Sequence, residues 1–157
     1  MRPYLNRLGG IPFVLVGNGL LVLGVLALSH IVNNFWPFDV ARLDLVRATA
    51  LDRIDAAAIL EAANGELLLA FLASVMVAAT GLVLPFSYYL NRHFNEEAPQ
   101  ALVVLRQALW VGLWLAFCLW LQMNRTLGVA VLGLVAAVLV IFELLLQVRA
   151  RALDILE

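Results

Sequence analysis

ALVVLRQALWVGLWLAFCLWLQM (Ala101–Met123), then Asn124-Arg125-Thr126, then LGVAVLGLVAAVLVIFELLLQV (Leu127–Val148) is the stretch that decides the fold. Two apolar runs of 23 and 22 residues flank three polar ones. At about 1.5 Å of rise per residue, either run crosses a hydrocarbon core of about 30 Å. In lipid every backbone N–H and C=O must find its partner within the segment, so both runs are helices. A connection this short lets the second helix do only one thing, double back as a tight antiparallel hairpin.

Working outward, Ile11–Val32 and Leu67–Leu90 are runs of the same kind. The expected fold is therefore an all-α integral membrane protein. It is a four-transmembrane-helix bundle with a hairpin between helices 3 and 4, forming a single membrane domain over residues 1–157. Composition agrees, with 64% hydrophobic and 13% charged residues, far from the balance of a soluble domain. A net charge of −1 with no basic stripe argues against nucleic acid as a partner. The one cysteine, Cys118, excludes an intrachain disulfide or a dithiol pair. The first run follows Arg2 and Arg7 like a signal peptide, but at about 22 residues it exceeds a signal's apolar region. A retained helix is expected.

With four spans both termini share a face. Arg2, Arg7, Arg92, Arg106, Arg149 and Arg151 fall on that side, and Arg42, Arg47, Arg53 and Arg125 on the other. Six against four is a positive-inside vote for cytoplasmic termini, and the expected location is the cell membrane, the inner membrane of a bacterium. Tyr4, Tyr88 and Tyr89 mark one interface, and Phe35, Trp36, Phe38 and Trp120 the other.

The long outer connection, residues 33–66, predicts short amphipathic helices within 39–63. Asp39 caps a piece carrying Leu43, Val46 and Ala50. Asp55 caps a second, Ala56–Ala63, which Asn64-Gly65 ends. This segment serves as a lid over helix ends or as a docking surface. Asn91–Gln100 reads as a ten-residue inner loop.

Glu143 is the costliest residue, a carboxylate inside the fourth span. Arg106 precedes the turn residue Arg125 by 19 positions and Glu143 follows it by 18. Antiparallel helices bring both to about 27–28 Å from the turn, which predicts an Arg106–Glu143 pair. Asn18, about 10 Å into the first helix, joins Ser87 and Tyr88, which follow the kink-prone Pro85, and Gln107 and Gln147, which flank the pair. This inner-leaflet cluster reads either as interhelical glue or as a polar cavity open to the cytoplasm. Trp110 and Trp114, four apart on the third helix, read as packing or as a flat wall for a quinone, pigment or lipid tail. Small residues mark close helix approach at Gly17 and Gly24, at Ala70, Ser74, Ala78 and Gly81, and at Ala130, Gly133 and Ala137.

His30 and His93 lie at opposite faces, and nothing has the spacing of a zinc site, a phosphate loop or a nucleophile elbow. No metal, cofactor or catalytic set is expected. The leading functional expectation is a non-catalytic accessory, scaffold or assembly subunit. Its partners are the lipid bilayer and other membrane subunits or further copies of itself. The alternatives are a small-solute or ion transporter using the polar cluster and, after it, a membrane enzyme or a cofactor- or lipid-binding subunit.

Overall fold

The computed structural model describes residues 10–35, 47, 51, 63–94 and 100–154, with side chains as far as Arg149. Among the described residues are four long helices: α1 (Ile11–Asn34), α2 (Gly65–Phe94), α3 (Ala101–Met123) and α4 (Val129–Asp154). All four are long and apolar enough to cross a membrane, which makes this an all-helical, multi-pass membrane protein. The expected amphipathic segment 39–63 lies outside the described residues except at Arg47, Leu51 and Ala63. There, the Leu51 N–H donates to the Arg47 carbonyl at 3.1 Å.

The helices begin and end for local reasons. Gly10 opens α1, its carbonyl accepting from the Val14 N–H at 3.1 Å. Pro12 follows in the first turn, where a missing N–H costs nothing. α2 starts at the Asn64 side chain, whose Oδ1 accepts from the backbone N–H groups of Glu66 (3.1 Å) and Leu67 (3.4 Å). Asn64-Gly65, expected to stop a preceding piece, thus caps the start of a span. Glu66 in that first turn complements the positive end of the helix dipole.

α2 also runs on through Phe94, so Asn91–Phe94 is helix where a loop was expected. α3 ends in a Schellman motif. The Thr126 N–H donates to the Leu121 carbonyl at 3.0 Å and the Arg125 N–H to the Gln122 carbonyl at 3.0 Å. The motif places Arg125 in the left-handed region, φ 55°, where glycine is the usual occupant. Asn124 Nδ2 and Thr126 Oγ1 satisfy the Trp120 and Leu121 carbonyls at 2.8 and 3.2 Å.

The chain divides into two compact units, Met1–Thr126 with α1 to α3 and Leu127–Glu157 with α4. In the first, α2 is the hub, packing against both α1 and α3. Lipid tails are as apolar as leucine, so close van der Waals fit must hold these helices together. Small residues supply it. A Cβ on Gly24 would stand 2.5 Å from the Ala78 nitrogen and 2.7 Å from its Cα. One on Gly81 would strike the Leu21 nitrogen and come within 2.6 Å of the Gly17 carbonyl oxygen. α1 and α2 therefore meet backbone to backbone. On α3 the buried positions Val104, Ala108, Gly112 and Ala116 recur every fourth residue on one face. A Cβ on Gly112 would collide with Thr80 Oγ1 and sit 2.7 Å from the Met76 carbonyl oxygen.

Pro85 lies inside α2 and has no N–H to give the Gly81 carbonyl. That carbonyl oxygen is 2.7 Å, and Pro85 Cδ 2.9 Å, from where a Gly17 side chain would begin. The carbonyl freed by proline thus faces a glycine Cα, a geometry suited to a weak Cα–H···O contact.

Candidate functional site

The C-terminal part of α2 carries three side-chain hydrogen bonds, one of which crosses to α3. Ser87 and Tyr88 are buried there, Asn91 is half-buried and Arg92 exposed. These residues come one turn apart in two pairs, 87 with 91 and 88 with 92, so each pair shares a face. Asn91 Nδ2 donates to the Ser87 carbonyl at 2.8 Å and to Gln107 Oε1 on α3 at 2.5 Å. This amide clasp ties α2 to α3. The Tyr88 ring stacks on Phe13 of α1, with centroids 4.6 Å apart and planes at 20°. Its hydroxyl accepts from Arg92 Nη1 at 3.2 Å. Gly10 makes room for that ring, since a Cβ there would lie 2.8 Å from Tyr88 Cε1. Tyr88, expected also as an interfacial anchor, is thus a core residue at 5% exposure. Its neighbour Tyr89 is the exposed one.

The Asn91 amide links Ser87 to Gln107 of α3, whereas Tyr88 turns to Phe13 of α1 and meets Arg92. Asn18 is exposed on α1. Arg106, Trp110 and Trp114 are half-buried on α3. On α4 the half-buried Glu143 carboxylate accepts from Gln147 Nε2 at 2.8 Å, one turn along the same helix. Arg106 belongs to the first unit and Glu143 to the second, so their pairing stays an expectation of the sequence.

Two further hydroxyls sit deeper in α2. Ser74 Oγ donates to the Ala70 carbonyl and Thr80 Oγ1 to the Met76 carbonyl, both at 2.7 Å. Sequence reasoning passed over Thr80, Asn91 and the small-residue face of α3. Asn91 was legible as the next turn of the stripe begun by Ser87. The α3 face was legible as Ala108, Gly112 and Ala116 at four-residue spacing, which the neighbouring tryptophans overshadowed.

Chemically, the α2 C-terminal cluster is a set of amides, a phenol and a guanidinium engaged with one another. Among the described residues no three His, Cys, Asp or Glu side chains converge as a metal site would require. At the C-terminal end of α1, the Asn34 amide contacts His30 Nδ1 at 3.1 Å and Asn33 Nδ2 donates to Ser29 Oγ at 3.1 Å. His30 is therefore engaged by its own helix. Comparison with known protein families, with curated proteins and with solved structures finds no match to this chain.

Proposed function

We propose that this protein is a non-catalytic integral membrane subunit, an accessory, scaffold or assembly factor that acts through its helix faces. One observation carries the reading. Three polar side chains of α2 are taken up by internal bonds, Ser74 to the Ala70 carbonyl, Thr80 to the Met76 carbonyl and Asn91 to Gln107 of α3. The Asn91–Gln107 bond holds α2 against α3, and hydroxyls bonded within their own helix offer little to a passing substrate. The finer architecture belongs to the same proposal: a four-helix bundle closed by a hairpin between α3 and α4, an Arg106–Glu143 pair, and cytoplasmic termini in a bacterial inner membrane. Native mass spectrometry from mild detergent tests it. A particle heavier than one 17.2 kDa chain, of fixed stoichiometry, is the expected result. A bare monomer with nothing bound would count against it.

A second reading rests on Glu143. A carboxylate within a span, with an amide one turn away as donor, is the kind of group that carries ions or protons across membranes. On this reading, protein reconstituted in liposomes conducts a measurable flux and Glu143→Gln abolishes it. Flux untouched by the substitution, or none in the parent, removes the reading.

A further inference from the structure

We draw no further inference here: the strongest candidate, the apolar face of α1 around Asn18, carries nothing because nothing in the structure shows what covers it.

Discussion

The two faces of α1 are built from similar residues and do opposite things. On one, Gly17 and Gly24 touch the backbone of α2 so closely that no Cβ fits. Around the other, a Cβ on Gly19 would meet open space, and Leu15, Val22 and Val25 are more than half or just half exposed at 67, 56 and 50%. Glycine in a membrane helix thus has no fixed meaning. What matters is whether another backbone occupies the space its missing side chain leaves. The face with Gly17 and Gly24 holds α1 against α2.

The largest expected effect breaks the inward face. Gly24→Leu drives four heavy atoms into Ala78 and should cost about 3 kcal/mol or more, separating α1 from α2. Denaturant titration in micelles followed by tryptophan fluorescence would record it. Smaller is Gly112→Ala on α3, at about 1–3 kcal/mol. Its Cβ meets both Thr80 Oγ1 and the Met76 carbonyl, so adding Thr80→Ala should recover only part of the loss, the backbone clash persisting. The same titration measures both variants.

Next comes the clasp. Asn91→Leu leaves the Gln107 amide without its donor and should cost about 1 kcal/mol. Asn91→Leu with Gln107→Leu together should cost less than Asn91→Leu alone, because two apolar groups leave nothing unsatisfied. A double-mutant cycle reads the coupling. Last and opposite in sign, Arg125→Gly should stabilise by up to about 1 kcal/mol, since it relieves a side chain held at positive φ. A raised thermal midpoint in micelles would show it.

Much of this architecture was legible in the residues, and the shortfalls have causes. α3 coincides with its apolar run, Ala101–Met123, because the Asn124-Arg125-Thr126 turn stops the helix where the hydrocarbon stops. α2 extends past its run at both ends because apolarity marks the hydrocarbon and not the helix. Asn64 caps it on one side, and Asn91 and Arg92 remain helical on the other because their side chains find Ser87, Gln107 and Tyr88. The Gly17, Gly24, Ser74, Ala78 and Gly81 faces were readable as small-residue spacing and are buried. The same spacing at Ala70 is exposed, since a period marks a face without saying that the face is covered. Of the polar residues read by depth, the Asn91 amide links Ser87 to Gln107 while Tyr88 turns to Phe13 of α1, because equal depth says nothing about direction around the helix.

The most direct test of the account compares Gly24→Ala with Gly19→Ala, the same added methyl on the same helix five residues apart. Unfolding free energies in one micelle preparation should fall by about 1–3 kcal/mol for the first and stay within about 0.5 kcal/mol of the parent for the second. Equal changes in the two variants would contradict the claim that α1 and α2 meet backbone to backbone.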